Sequence, residues 1–369
     1  MNNFKYFMPT EVYFGKDIIA RSSELLRKYS GKALIVTGKG SSKKNGSLQD
    51  VKETLESIGT EYIIFDEIEE NPSLETIDRA AHIGRKEETS FIIGIGGGSP
   101  IDAAKVIGIL INNRDYDGRD VLSAGALKSI PIIAVPTTAG TGTEVTPYAI
   151  VTDHLARTKK NSGQKVFPDI AFLDARYMEH MPYNVTVSTA LDAFSHLAEA
   201  YLNTNANYLS DCFVERGLKL FGECILPLTD DNITYDIREK LMLVSTLGGM
   251  AIAQTGTSLP HGMGYALTYN KGLSHGIANC ILYKKYFEAF KDRTRVMEVL
   301  RMIGLSSIEE LGELISGLIK VNFKITDKEI EDYTDIIAND KGKLKNHPET
   351  IARDELYFIY KESLINYII

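Results

Sequence analysis

No apolar run in this 369-residue sequence reaches the ~18 residues that a membrane-spanning helix needs, so no span is expected. Cysteine is scarce. Cys212, Cys224 and Cys280 make no CxxC pair and no even-numbered framework, which excludes a disulfide scaffold and points to a reducing, cytoplasmic compartment. The opening stretch MNNFKYFMPTEVYFG carries Lys5 and Glu11 and has no apolar h-region, so it does not read as a secretory signal. An excess of positive charge is missing too. Lys and Arg number 41 against 49 Asp and Glu, a net charge of −8, and neither nucleic acid nor an anionic membrane is expected as the main partner. Repeats of solenoid period and low-complexity tracts are absent.

What is present is an average soluble composition, 44% hydrophobic and 24% charged, at a length that at ~150 residues per domain implies two domains. The first half alternates strand and helix patterns. Ala33–Thr37, Tyr62–Phe65, Phe91–Ile95 and Ile130–Val135 read as strands. Helices are expected from Ser47 to Ile58, from Pro72 and Ser73 to about Lys86, and from Ile101 to Ile111. This βαβα order implies a mostly parallel sheet covered on both faces, a Rossmann-like α/β domain over 1–180. Beyond Phe172–Asp174 the strand signals fade. Segments 186–202, 207–223, 235–254, 276–304, 307–321 and 327–338 read as helices, giving a helical domain over 181–369.

Gly96-Gly-Gly-Ser99 sits between a strand and a helix, with Pro100 where a first helical turn tolerates it. Glycine lets backbone N–H groups approach an anion, and the helix N-terminus suits a pyrophosphate; tight packing is the alternative reading. GK[ST] is absent, so this is not a P-loop, and GxGxxG after the first strand is absent as well. Pro136-Thr-Thr-Ala-Gly-Thr-Gly-Thr143 follows the fourth strand and adds hydroxyls at the carboxyl end of the sheet, where open α/β sheets bind ligands. Two such loops point to a dinucleotide. The first strand ends at Gly38 rather than at a carboxylate, and Lys39, Ser41, Ser42, Lys43 and Lys44 follow. Hydroxyls and ammonium groups suit a 2′-phosphate, which favours NADP(H) over NAD(H).

Asp192 and His196 are i, i+4 on a strongly helical segment and share a face. His261-Gly and His275-Gly follow downstream, so three of only seven histidines fall in these segments. A carboxylate and three imidazoles suit a divalent first-row metal, Fe2+ or Zn2+. For any one histidine taken alone, a satisfied core or surface residue remains the alternative.

With these residues in place, the chain resembles the iron-containing (group III) alcohol dehydrogenase family over nearly its whole length. The resemblance rests on GGGSPIDAAK at 96–105, PTTAGTGTEVT at 136–146, ALDAFSHLAEAY at 190–201, LPHGMG and LSHGIANC. It is nearest to the NADP(H)-using propanediol and butanol dehydrogenase branch, where the aspartate that NAD-using members often carry is absent, as at Gly38. The resemblance implies an N-terminal Rossmann-like domain, a C-terminal helical domain and an active site in the cleft between them. It implies Asp192, His196, His261 and His275 as metal ligands, and Gly97, Gly98, Ser99 and Asp102 from the pyrophosphate segment as cofactor residues. Thr137, Thr138, Thr141, Asn71 and Lys159 fall on further cofactor positions, beside Gly38 and Ser41.

Many members carry a second histidine four residues after the third ligand; here that position is Tyr265, the candidate for proton relay or substrate contact. The activity implied is reversible hydride transfer between a small primary alcohol or diol, or its aldehyde, and NADP(H), with Fe2+ preferred and Zn2+ as the alternative. A glycerol dehydrogenase-like or dehydroquinate synthase-like activity on the same fold, or a non-catalytic NADP(H)-binding protein, are the competing expectations. A homodimer formed through the Phe7–Phe14 edge is expected as well.

Overall fold

The computed structural model describes residues 3–156 and 158–367. The chain divides into two compact units, Met8–Met181 and Pro182–Ile369 with Met1–Phe7. Residues 3–7, which the sequence places with the first domain, thus group with the helical unit.

The first unit is built on β1 (Glu11–Phe14), β2 (Lys32–Gly38), β3 (Tyr62–Ile68), β4 (Thr89–Gly96), β5 (Ile132–Pro136) and β8 (Ile170–Leu173). They form one sheet in the order β1-β8-β5-β4-β2-β3, parallel at every pairing. Alternation along β2 divides its apolar residues between two cores: Leu34 and Val36 join Ile77, Ala103 and Ile107 on one face, and Ala33 and Ile35 join Val51, Leu55 and Ile93 on the other. Both faces are therefore covered, as βαβ crossovers require. The helices Ser47–Ser57, Leu74–Lys86 and Gly98–Asn112 supply much of the cover. Ser73 caps the second by accepting from Thr76 N. The chain order reverses between β2 and β4, so the loops after these neighbouring strands flank the crevice where such sheets bind ligands. An antiparallel hairpin of β6 (Ile150–Asp153) and β7 (Thr158–Asn161) was not legible from hydrophobic pattern, because Thr158-Lys-Lys-Asn161 has none.

The second unit is helical. Its central helix, Tyr183–Tyr201, has nearly every side chain from Thr186 onward buried, and the helices Tyr208–Thr229, Tyr235–Thr255 and His275–Cys280 pack around it. The expected single helix over 276–304 is broken into His275–Cys280, Tyr283–Glu288 and Thr294–Met302. No proline or glycine marks the later break. Tertiary hydrogen bonds make it: Glu349 accepts from Lys291 N and Asp292 N, and Asp292 caps Thr294 N. A helix at Arg353–Leu364 closes the unit and was not read from the sequence. Residues 3–7 are held to it by Tyr6 against Phe213 and by paired hydrogen bonds between the Phe7 backbone and the Gln254 amide.

The helix Gly98–Asn112 also carries Lys105, which is fully buried. Its Nζ reaches Thr143 O at 2.8 Å, Thr143 Oγ1 at 2.7 Å, Thr146 O at 3.0 Å and Tyr148 O at 2.6 Å, with Asp102 Oδ1 3.8 Å away. Burial pulls its pKa down to about 8, and Asp102 and Glu144 act the other way. This ammonium organises the whole 143–148 turn. Lys105→Met removes the donor and leaves Asp102 without its cation, so urea unfolding should show a stability loss of about 3 kcal/mol.

Candidate metal centre and nucleotide site

Three helices of the second unit bring the metal-binding candidates together. Asp192 and His196 face the same way from the central helix, His261 stands in the first turn of Leu259–Lys271, and His275 opens His275–Cys280. Ligand atoms of Asp192, His261 and His275 lie within 4.8 Å of one another. His196 is outside that trio but stacks on His261, with ring centroids 4.5 Å apart. The His261 and His275 rings are 5.2 Å apart, edge to face. Tyr265, one turn beyond His261, stacks on His275 at 5.4 Å.

Close helix contact makes this possible. At Gly276 an added Cβ would stand 1.9 Å from Ser188 O and 2.8 Å from Asp192 N, so only glycine lets the short helix press its His275 against the central one. The dipeptide His-Gly thus has a packing reason.

Behind the trio lies Glu199, a residue the sequence reading passed over. It is fully buried, on the face shared with Asp192 two turns earlier; that i, i+7 spacing was the available signal. Its Oε1 is 2.5 Å from His261 Nδ1, its Oε2 accepts from Ser258 N at 2.5 Å, and Tyr283 Oη lies 3.3 Å away. Burial pushes the Glu199 carboxyl up to about 7, while Lys343 draws it down. Burial also lowers the His261 pKa, which favours the neutral ring. A neutral ring facing a carboxylate carries its proton on Nδ1, so the Nε2 lone pair faces Asp192. Asn279, one turn after His275, donates to Asp192 Oδ1 at 3.3 Å.

A divalent cation fits this donor set. His261 Nε2 is buried without a hydrogen-bond partner, and Asp192 Oδ1 is 3.7 Å from it, too far for a hydrogen bond. A buried nitrogen left so is costly unless a ligand takes its lone pair. Carboxylate and imidazole donors suit iron or zinc.

In the first unit, Gly97 and Gly98 begin the helix after β4 and, with Ser99, stay partly open. An added Cβ on Gly98 would meet Thr141 Cγ2 at 2.7 Å, and one on Gly97 would meet Thr138 Oγ1 at 3.1 Å, so the glycine and threonine loops lie side by side. Thr137 is buried and its N–H donates to Gly96 O. Asn71 takes a left-handed conformation (φ 60°); its N–H donates to Ser99 Oγ at 3.0 Å and its carbonyl accepts from Thr152 Oγ1 at 2.9 Å. Asp102 is turned inward instead: it accepts from Thr143 Oγ1 at 2.5 Å and Ile150 N at 2.9 Å, and so holds the loop from behind. Lys159 is buried nearby on β7. Gly38 ends β2, and Ser41, Lys39, Lys43 and Lys44 are exposed beyond it, Lys43 pairing with Asp66 at 2.5 Å.

Two family models match. Residues 9–175 match the iron-containing alcohol dehydrogenase model, and residues 186–364 match the C-terminal model of the Fe-containing alcohol dehydrogenase family. The chain is 28% identical to an NADPH-dependent butanol dehydrogenase of Clostridium saccharobutylicum over 97% of each chain. It is 31% identical to a lactaldehyde reductase of Escherichia coli over 84% of each. A crystal structure of an iron-containing alcohol dehydrogenase from Thermotoga maritima superposes with a TM-score of 0.91 at 36% identity, covering 98% of this chain and 99% of that one.

Gly276→Ala should force the His275 helix away from Asp192; the purified variant is expected to retain clearly less metal after dialysis than the parent chain, by elemental analysis. Glu199→Gln removes the carboxylate that fixes the His261 ring and should weaken divalent-metal affinity by about 10–100-fold in a chelator competition.

Proposed function

The chain belongs to the iron-containing alcohol dehydrogenase family and is an alcohol/aldehyde oxidoreductase, and we propose that it interconverts small primary alcohols or diols and their aldehydes with NADP(H). The observation that carries this reading is the Asp192–His261–His275 trio, with its buried, unpartnered Nε2. The overall reaction is aldehyde + NADPH + H+ to alcohol + NADP+, and its reverse.

Asp192, His196, His261 and His275 would hold the cation. A divalent ion bound there supplies Lewis-acid polarisation of the substrate oxygen. Fe2+ is the proposed metal, and Zn2+ competes wherever it is available, because zinc binds most N/O sites more tightly. Glu199 would hold the His261 proton on Nδ1 and leave Nε2 to the cation. The Gly97–Ser99 turn and Thr138 and Thr141 bind the pyrophosphate and its surroundings, with the helix N-terminus favouring negative charge. Tyr265, partly exposed against His275, is placed to contact the substrate or to pass a proton through its hydroxyl.

Three observations support NADP(H). Gly38 carries no carboxylate to repel a 2′-phosphate, and a Cβ there would stand 3.2 Å from Ile68 O. Ser41 offers an exposed hydroxyl. Lys39 and Lys44 are exposed with no ion-pair partner among the described residues.

Anaerobic assay of the Fe2+-loaded protein with 1-butanol and 1,3-propanediol tests the reading. Metal-dependent reduction of NADP+, with a higher kcat/KM than for NAD+, is the expected result. Equal turnover with NAD+ would remove the 2′-phosphate argument, and full activity after metal removal would overturn the reaction centre.

A further inference from the structure

Lys343 lies beside the candidate metal centre without belonging to it. It sits in the short helix Lys341–Leu344, where Asp340 accepts from its backbone N–H at 3.0 Å. Its Nζ donates to Thr257 Oγ1 at 2.5 Å and stands 5.7 Å from the centroid of the Tyr265 ring, the ring that stacks on His275. Its stem runs against Gly262, the residue after His261, where an added Cβ would meet Lys343 Cγ at 2.9 Å. Thr257 precedes Ser258, whose N–H holds Glu199. Asn346 fixes the same segment: its amide donates to Thr257 O at 2.8 Å and its carbonyl accepts from Thr204 N at 3.0 Å. This lysine is therefore held in place rather than left as a free surface group.

It also lacks the ion pair that several half-buried lysines of the chain have. Lys32 pairs with Glu87, Lys271 with Glu329 and Lys285 with Glu288, whereas no carboxylate among the described residues lies within 4.0 Å of Lys343 Nζ. The two acids nearest in charge are engaged elsewhere: Asp340 with the helix backbone, and Glu199 with His261, Ser258 and Tyr283. An ammonium with one hydroxyl partner keeps two donor protons for a ligand. Glu199 and Asp340 act on the Lys343 charge without pairing with it directly. A neutral substrate would leave its two free donor protons unused; an anionic substrate would pair with them.

We propose that Lys343 is an anion subsite, and that the substrate is a short aldehyde or alcohol bearing a carboxylate at the end remote from the reacting carbon. The proposal rests on the reading of the Asp192–His261–His275 trio as the reaction centre, and it narrows the substrate class. The aldehyde carbon takes a hydride from NADPH and its oxygen one proton, giving an ω-hydroxycarboxylate and NADP+. The carboxylate is unchanged and serves only to bind.

The test compares 4-oxobutanoate with butanal, which match in carbon count, on the metal-loaded full chain, with Lys343→Met and Lys343→Arg. The parent enzyme should prefer 4-oxobutanoate. Lys343→Met should reduce that preference by roughly tenfold or more, through KM, and Lys343→Arg should restore most of it. Calorimetric binding of 4-hydroxybutanoate should weaken in parallel. A parent enzyme that prefers butanal, or a preference that Lys343→Met leaves intact, would overturn the subsite. A lysine that merely latches the loop would impair both aldehydes equally, which is that second outcome. Reduction of neither aldehyde would instead count against the proposed function, and the calorimetric comparison would then decide the subsite alone, with unchanged affinity overturning it.

Discussion

The arrangement of the helical unit depends on one hydrogen bond inside it, between the Glu199 carboxylate and His261 Nδ1. A carboxylate taken wholly out of water is unfavourable unless each oxygen has a partner. Glu199 meets that condition with an imidazole, a backbone N–H from Ser258 and a tyrosine hydroxyl. The same bond turns the imidazole so that its remaining nitrogen faces Asp192. Removing that carboxylate would leave the ring and the loop each with an unsatisfied donor. The candidate ligand His261 is thus oriented by the same bond that satisfies the buried acid.

Both units place their chemistry by close backbone approach. Gly276 admits one helix to within a methyl group's distance of another. Gly98 does the same for two loops, bringing the turn after β4 against the one after β5. In each case the side chains that matter, His275 on one side and Thr141 on the other, are positioned by a neighbour that has none. Lys105 works differently: it is a long side chain whose charge holds a turn from the inside, and Asp102 beside it is part of that scaffold.

Much of this is legible in the sequence. The β2, β4 and β5 strands are short apolar runs ending in glycine or proline, and their parallel order followed from the helices between them. Asp192 and His196 could be placed on one face by spacing alone, and the trio of Asp192, His261 and His275 does converge. Glu199 was written in the same helix with only its i, i+7 spacing from Asp192 as a signal, since a buried acid and a solvated one look alike until its partners, 59 and 62 residues away, are known. The bonds of Asp102 were equally illegible: it lies within the glycine-rich segment, yet its carboxylate accepts from Thr143 and Ile150 N, more than 40 residues on. Lys343, within Lys341-Gly-Lys-Leu-Lys345, looks like an ordinary solvated stretch, and its contacts with Thr257, Gly262 and the Tyr265 ring show otherwise. The break after Tyr283–Glu288 depends on Glu349, which no window of contiguous residues contains.

The attachment of residues 3–7 has a consequence for how the chain is made. These residues leave the ribosome ahead of the entire sheet, yet the surfaces that receive them are Phe213 and Gln254. The sheet can assemble as soon as β8 is synthesised, while the segment before Met8 reaches its place only once the helix Tyr235–Thr255 exists. Docking of that segment is therefore a late event in biosynthesis, and it ties residues made before the sheet to the completion of a helix made after it.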